Sequence, residues 1–309
     1  MKKLHHWVLA LACAATAYAQ GNIDTGNVNA EFVVQPQQEE AKQGPFKLVT
    51  TFDAIGKSDF NDPKLPGQHT SYSEADIEAR LIVHYDENTR EGMDVGIAYN
   101  VSKIRWNDNP YYDKPNFHTA TLSVGWFSLR YDEWFVNAQA NMNVDTDHVD
   151  FFEYVTWDLF FVSRYAQRED LGIYLGLIAQ TGMKMDRLYP IIGFDWRINE
   201  KWLVNAIFPV NISVVYNYNC NLTLAVVGRA FDSRHRFGRS EELSRGLIRY
   251  TNTGGEFALT WENAWLTANA HAGYTFGGKI RISNQHNQHS HRYRFDGAGY
   301  VGGELVIRL

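Results

Sequence analysis

The stretch DEWFVNAQANMNVDTD, residues 132–147, decides how this chain is read. From Trp134 to Val144 the even positions are Trp, Val, Ala, Ala, Met and Val, while Asn137, Gln139, Asn141, Asn143 and Asp145 hold the odd ones. Successive side chains of a strand point to opposite faces, so the segment has one apolar face and one face of amides. In a soluble sandwich the apolar face turns inward. In a membrane barrel it meets lipid, and the amides line the lumen. Alternation alone is compatible with both.

The pattern recurs. Ala75, Ile77, Ala79, Leu81, Val83 and Tyr85 alternate with Asp76, Glu78, Arg80, Ile82 and His84. Met93, Val95, Ile97, Tyr99 and Val101 alternate with Asp94, Gly96, Ala98, Asn100 and Ser102. Leu266, Ala268, Ala270, Ala272, Tyr274 and Phe276 face away from Thr267, Asn269, His271 and Thr275. A 3.6-residue stripe describes none of these runs better, so the chain is all-β.

Asn, Asp, Gly, Pro and charged residues mark the turns and divide the chain into about fourteen strands, with twelve as the alternative. The predicted spans are 46–56, 74–85, 92–105, 117–131, 134–145, 150–164, 171–181, 190–198, 201–208, 211–218, 221–231, 247–261, 265–283 and 292–309. Long connections (57–73, 106–116, 232–246, 284–291) alternate with short ones (132–133, 199–201, 219–220, 262–264). Tight turns at one end and long loops at the other are the plan of a single up-and-down antiparallel transmembrane β-barrel. Two places fit less well: the connection near Pro209 is very short for a long-loop end, and the ninth strand is barely long enough.

Aromatic residues gather near the short turns: Tyr85, Tyr131, Trp134, Tyr165, Trp202, Tyr218, Trp261 and Trp265. Trp and Tyr favour a lipid–water boundary, so Tyr85, Trp134, Tyr165, Trp202 and Trp261 are expected to form an aromatic girdle. A second set, Tyr72, Trp106, Tyr189 and Tyr293, flanks the long loops. The closing strand GAGYVGGELVIRL places Val301, Leu305, Ile307 and Leu309 on one face. It resembles the signal by which barrel-insertion machinery recognises its clients, although it closes on Leu309 where that signal usually has Phe.

The chain has 309 residues, a formal charge of −6, 21% charged residues and 14% aromatics. That suffices for one large domain or two ordinary ones, and the charge gives no general attraction to nucleic acid. The start, MKKLHHWVLALACAATAYAQ, reads as an export signal: Lys2 and Lys3, an apolar stretch from Trp7 to Ala17, then Ala17-Tyr18-Ala19 before a cut ahead of Gln20. Lipidation at Cys13 would shorten the apolar core below the usual ~7–15 residues. Residues 1–19 are thus read as a signal peptide, 20–45 as a polar periplasmic arm, and 46–309 as a barrel in the bacterial outer membrane. Cys220 would be the one cysteine of the mature chain, without an intramolecular partner.

The segment YPIIGFDWRINEKWLVNAIFPVNISVVYNYNCNLTLAVVG (189–228) resembles a family of uncharacterised Gram-negative outer-membrane barrels. Pro190, Gly193, Trp196, Lys201, Trp202, Pro209, Tyr216 and Leu222 carry the resemblance, as hairpins with Trp at one turn and Pro at the opposite end. The resemblance implies a barrel and supplies no catalytic residue.

Candidate chemistry is sparse. Ser283 and His286 lack a third member for a hydrolase triad. Asp145, Asp147, His148 and Asp150 cluster at one loop, as a short solvated turn also would. His286, His289 and His291 lack the acidic or thiolate partner usual for a metal site. Arg229, Arg234, Arg236, Arg239 and Arg245 form a basic segment suited to lipid phosphates or anionic solutes, partly offset by Asp232, Glu241 and Glu242. No residue is assigned a catalytic, cofactor-binding or metal-binding role. Glu78, Arg80, Asn137, Gln139, Asn141, Asn143, Asn269, His271 and Thr275 are expected to line a lumen. The expected function is a passive, weakly selective pore for small hydrophilic solutes. Its alternatives are a closed structural or adhesive barrel and an outer-membrane enzyme.

Overall fold

The computed structural model describes residues 45–147, 153–184 and 186–309. The expected export signal, nearly all of the expected arm, His148 and Asp150 lie outside the described residues. Within them the strands are β1 (Phe46–Asp59), β2 (His69–Asp86), β3 (Glu91–Trp106), β4 (Asn116–Tyr131), β5 (Trp134–Asp145), β6 (Val155–Arg168), β7 (Leu171–Gly182) and β8 (Arg187–Arg197). They continue with β9 (Trp202–Phe208), β10 (Asn211–Asn217), β11 (Leu222–Arg236), β12 (Leu247–Glu262), β13 (Leu266–Ser283), β14 (His291–Phe295) and β15 (Gly299–Arg308). Each strand from β1 to β13 pairs antiparallel with its neighbours in sequence. The ring closes where β15 lies between β13 (Leu266↔Ile307) and β1 (Lys47↔Arg308).

The expected last strand, 292–309, is two segments, β14 and β15, which pair with the upper and lower parts of β13. They form one interrupted stave, so the closed barrel has 14 strands. The interruption has a steric cause. Gly277 adopts φ +96 opposite it, and a Cβ on Gly297 would lie 2.0 Å from the Thr275 carbonyl oxygen. The sixth strand begins at Val155, later than the expected 150, and runs to Arg168.

Local chemistry explains the short-turn end. Asn199 Oδ1 accepts the backbone N–H groups of Lys201 (2.9 Å) and Trp202 (3.0 Å). Asn219 does the same for Asn221 and Leu222, and Asn263 for Trp265 and Leu266. An Asn side chain that imitates a backbone turn satisfies two donors freed where the ladder ends.

The two faces of the wall separate cleanly. Ile97, Leu122, Leu159, Leu175, Ile192, Phe257 and Phe276 are exposed on the outside, and Phe257 is 75% accessible. The opening stretch follows suit: Trp134 is exposed, and Asn137, Gln139, Asn141 and Asn143 are buried inside.

One region departs from a plain cylinder. β9 and β10 have 7 residues each. The β10–β11 register begins at Ile212↔Gly228, so β11 beyond Gly228 has only β12 as a neighbour strand. Freed from the wall, the long-loop half of β11 and β12 curls into the barrel. Every residue from Phe231 to Gly238 and from Gly246 to Tyr250 is buried, on both faces of the sheet.

The curled sheet packs across the interior. Tyr250 stacks on Tyr72 (4.5 Å between centroids), His235 on Phe117 (4.4 Å) and Phe237 on Tyr112 (5.0 Å). The Tyr72, Tyr112, Phe117, Phe237 and Tyr250 rings join Ile55, Phe60, Ile104, Trp106, Phe231, Ile248, Ile280 and Phe295 in one apolar cluster. Burial contributes about 1.5–3 kcal/mol for each large apolar side chain, so the cluster firmly holds the curl. Burial also pushes the Tyr112 phenol well above its ordinary pKa, which keeps it a donor to the Ile104 carbonyl (3.0 Å).

The second aromatic set, which flanks the long loops, packs inward. Tyr72 and Trp106 are 1% and 7% exposed, and Tyr293 packs on the same cluster. Tyr189 packs inward against Ile191 and Ile207. Tyr72 and Trp106 have the parity of the polar face in β2 and β3, so they cannot reach lipid.

Candidate functional site: the barrel interior

The short-turn half of the interior holds two polar networks, which adjoin where β1 pairs with β2. The first lies on β2 to β6. Arg80 donates from Nε and Nη2 to Glu78 Oε1 (3.1 and 2.7 Å), and from Nη1 to Asp94 Oδ1 and Gln139 Oε1, both 3.0 Å. Gln139 Nε2 donates to Asn141 Oδ1 at 2.7 Å. Asn143 accepts from Thr121 (2.8 Å) and donates to Asp158 Oδ2 (2.6 Å). The guanidinium fork spends its donors on two carboxylates and an amide, so one cation compensates part of the negative charge of Glu78 and Asp94.

The second network joins β1, β11, β12, β13 and β15. His271 Nε2 lies 2.7 Å from Asp53 Oδ1, and Arg229 Nη2 donates to Asp53 Oδ2 at 3.0 Å. Tyr300 donates to Glu256 Oε2 at 2.9 Å, and Asn269 Oδ1 lies 2.9 Å from His271 Nδ1. Elsewhere on the wall Arg164 grips Asp195 through two bonds of 2.7 and 2.9 Å. With both signs on each wall, the interior has no single-sign field.

Each residue expected in the lumen points inward, in differing company. Glu78, Arg80, Gln139 and Asn141 belong to the first network, with Asn143 at its upper edge, and Asn269 and His271 belong to the second. Asn137 is 1% exposed, and its Oδ1 has no hydrogen-bond partner among the described residues. Thr275 is 0% exposed: its hydroxyl donates to the Ala298 carbonyl and accepts the Ala298 N–H, stitching the interrupted stave. Among the girdle residues Tyr85, Trp134, Trp202 and Trp261 are exposed outside, and Tyr165 is half-buried against Trp134 (4.9 Å).

The basic segment is dispersed. Arg229 serves the second network. Arg234 meets Asp158 at 3.5 Å, and Arg236 donates to the Glu153 carbonyl at 2.8 Å. Both are buried strand residues, because β11 extends to Arg236 where a loop from 232 was expected. Arg245 pairs with Glu153 (3.0 Å) and, with Arg239, Ser244, Asn284, Gln285 and His286, lines an open pocket of about 470 Å³ at the loop rim.

The other candidates separate. Ser283 Oγ donates to Asn287 Oδ1 (3.3 Å), while His286 is beside Gln285. Asp145 caps the backbone N–H of Asp147 at 2.8 Å. Among the described residues no three His, Cys, Asp or Glu side chains gather as a metal site. Among the described residues the structure makes a Ser–His pair that was not anticipated, Ser233 Oγ with His235 Nε2 at 2.5 Å, and both residues are buried within the curled part of β11.

Two further features escape the alternation rule. Val162, Tyr174, Ile178, Ile191 and Ile207 form an apolar patch on the inner face of β6 to β9. Its signal was the unbroken run Pro190-Ile191-Ile192. Where the edge of β11 meets the far wall, a cavity of about 40 Å³ remains among Asn100, Ser102, Asn143, Asp145, Arg234 and His235. That is room for one or two waters. The long-loop half of the interior is thus filled by the protein's own sheet.

Comparison with known proteins agrees with this architecture. A family described as a domain of unknown function, DUF6268, matches residues 50–301. An uncharacterized protein of Chlamydia muridarum is 23% identical over 282 residues, covering 85% of this chain and 87% of that one. An uncharacterized protein of Chlamydia trachomatis is 23% identical over 293 residues, covering 88% and 90%. Among solved structures, the COG4313 outer membrane channel from Pseudomonas putida F1 superposes with a TM-score of 0.50 at 8% identity, covering 89% of this chain and all of that one. At that identity the likeness is one of fold.

Proposed function

The chain belongs to the DUF6268 family, and from that membership and the polar short-turn half of the interior we propose that it is an outer-membrane channel for small hydrophilic solutes, closed at rest by its curled β11–β12 hairpin. One observation carries the reading: amides and paired charges line the short-turn half, while the outside of the same strands is apolar. Only a hydrocarbon surrounding makes that inversion stable, because exposing Ile97, Leu122, Phe257 and Phe276 to water would be costly. The girdle at the short turns supports a membrane boundary there, and export would proceed through the 1–19 signal. Recognition of β15 by the insertion machinery belongs to the same proposal.

In the channel, the paired charges of Arg80 with Glu78 and Asp94, and of Arg229 with Asp53, would make selectivity mild, since each wall presents both signs. Passage requires the curl to yield. The barrel wall beside β11 is short at β9 and β10, which leaves the upper part of β11 held by side chains and by its ladder to β12, while β12 stays paired with β13 up to Leu247↔Ser283. The apolar cluster favours a second reading, a barrel whose interior never opens and whose loops do its work.

Planar-bilayer recording separates the two. Folded protein, identified by a heat-dependent gel shift, is compared with a variant lacking Arg239–Ser244 and carrying Phe237→Gly. The channel reading expects rare or small steps from the intact chain, and larger steps from the variant that scale with bulk salt. Silence from a folded, inserted variant would favour the closed barrel.

A further inference from the structure

The β-register places four arginines side by side. Arg234 of β11 lies opposite Arg249 of β12, Arg249 opposite Arg281 of β13, and Arg281 opposite Arg292 of β14. Directly opposed residues share a face and sit about 5 Å apart, and like charges so placed repel. The next row toward the short-turn end runs Asp232, Thr251, Lys279 and Arg294. Seven ionic side chains thus occupy two rows, and one of them is acidic.

The face is the outer one. On β12 the parity of Arg249 and Thr251 is that of the exposed Phe257, Leu259 and Trp261. On β13 the bulge at Gly277 shifts the parity, so Lys279 and Arg281 face the same way as the exposed Phe276. The other face of these strands carries Ile248, Tyr250, Ile280, Ile282 and Phe295, which pack in the apolar cluster.

The rows are neutralised at one end only. The curl carries Arg234 and Arg249 inward, where Asp158 and Asp232 meet them, and Arg187 of β8 also approaches Asp232 at 3.6 Å. Toward β14 the sheet regains the wall and the row emerges: Arg281 is half-buried, and Arg292 and Arg294 are exposed. Among the described residues, no ion pair engages Lys279, Arg281, Arg292 or Arg294, and Arg281 Nε is buried without a hydrogen-bond partner. Four cations therefore crowd a patch directly above Phe276, Tyr274 and Phe257.

We infer that Lys279, Arg281, Arg292 and Arg294 form a binding site for the phosphate groups of an outer-leaflet glycolipid. The inference rests on reading the apolar belt as membrane-embedded. Charge complementarity assigns an anion: opposed cations that repel one another are stabilised by a polyanion bridging them, and guanidinium forks match phosphate oxygens. Position assigns a lipid. The patch continues from the apolar belt, so a molecule with its acyl chains against Phe257 and Phe276 would hold its phosphates at the cations. The basic loop segment read from sequence is excluded, since Arg229, Arg234 and Arg236 are spent on internal partners.

The test compares detergent-solubilised, folded protein binding to bis-phosphorylated lipid A and to the same lipid with its phosphates removed. The expected result is about tenfold tighter binding of the phosphorylated form. The quadruple variant Lys279→Gln, Arg281→Gln, Arg292→Gln, Arg294→Gln should lose that discrimination, and the rim variant Arg239→Gln, Arg245→Gln should keep it. Equal discrimination by the quadruple variant, or none by the wild type, would overturn the site. Displacement of the lipid by millimolar inorganic phosphate would reassign it to a soluble anion and also overturn the inference. Membrane fractionation of the producing cells, before detergent is added, separates these failures from failure of the membrane reading, in which the protein would be recovered in the aqueous fraction.

Discussion

Tyr250 of β12 stacks on Tyr72 of β2 with ring planes 6° from parallel, although their strands are far apart around the wall. The two rings meet because the β11–β12 hairpin crosses the interior. Their contact is a direct gauge of the curl.

Tyr250→Ala removes a fully buried ring and leaves a void beside Tyr72 and Phe295. The loss should be about 3–5 kcal/mol of unfolding free energy, read by urea titration in detergent. The channel reading adds that conductance rises in parallel. Tyr250→Phe keeps the ring and should stay within about 1.5 kcal/mol of the wild type.

Arg80→Met leaves Glu78 and Asp94 buried without their shared partner. The expected destabilisation is about 3–5 kcal/mol, and any current should shift toward cation selectivity, measured as the reversal potential in a salt gradient. Adding Glu78→Gln and Asp94→Asn should recover much of the stability. No recovery would mean that Arg80 acts mainly through packing.

Asn263→Ala deletes the acceptor of two backbone N–H groups at the β12–β13 turn. The turn is exposed, so water replaces the side chain and the cost should be near 1 kcal/mol. Asn263→Asp retains the acceptor and should be almost neutral. The same pair of substitutions at Asn199 should behave alike in chemical denaturation.

Gly193→Ala tests a residue that carried the family resemblance. A Cβ there would lie 2.2 Å from the Ala206 carbonyl oxygen of the neighbouring β9, so the strands must part. Overpacking of this kind costs about 1–3 kcal/mol, and the yield of heat-modifiable, folded barrel should fall accordingly. Unchanged folding would show that β8 and β9 slide apart freely.

The stretch from Trp134 to Asp145 was legible in full, as were the fourteen strands and the alternation of short turns with long loops. Those features are local: the pleat sorts side chains by parity, and an Asn three residues before a strand makes its own turn. The networks around Arg80 and His271 were legible only as inward-facing residues. Their partners Asp94, Asp53 and Glu256 come from other strands, and the register that brings them together depends on the whole ring. The apolar patch at Ile178, Ile191 and Ile207 was missed because β8 is apolar on both faces.

By itself, then, the sequence determined the barrel plan, a strand number near fourteen and the face of most strand residues, because period-two patterning and turn chemistry act over a few residues, whereas the bulge at Gly277 reversed the parity beyond it. Tertiary structure alone decided the inward curl, the burial of Arg234 and Arg236, and the row of arginines that reaches the surface at Arg292. The physical reason lies in β9 and β10. Their shortness frees the edge of β11, and an unpaired edge goes where burial and side-chain contact stabilise it, which is a property of the walls opposite and not of its own residues.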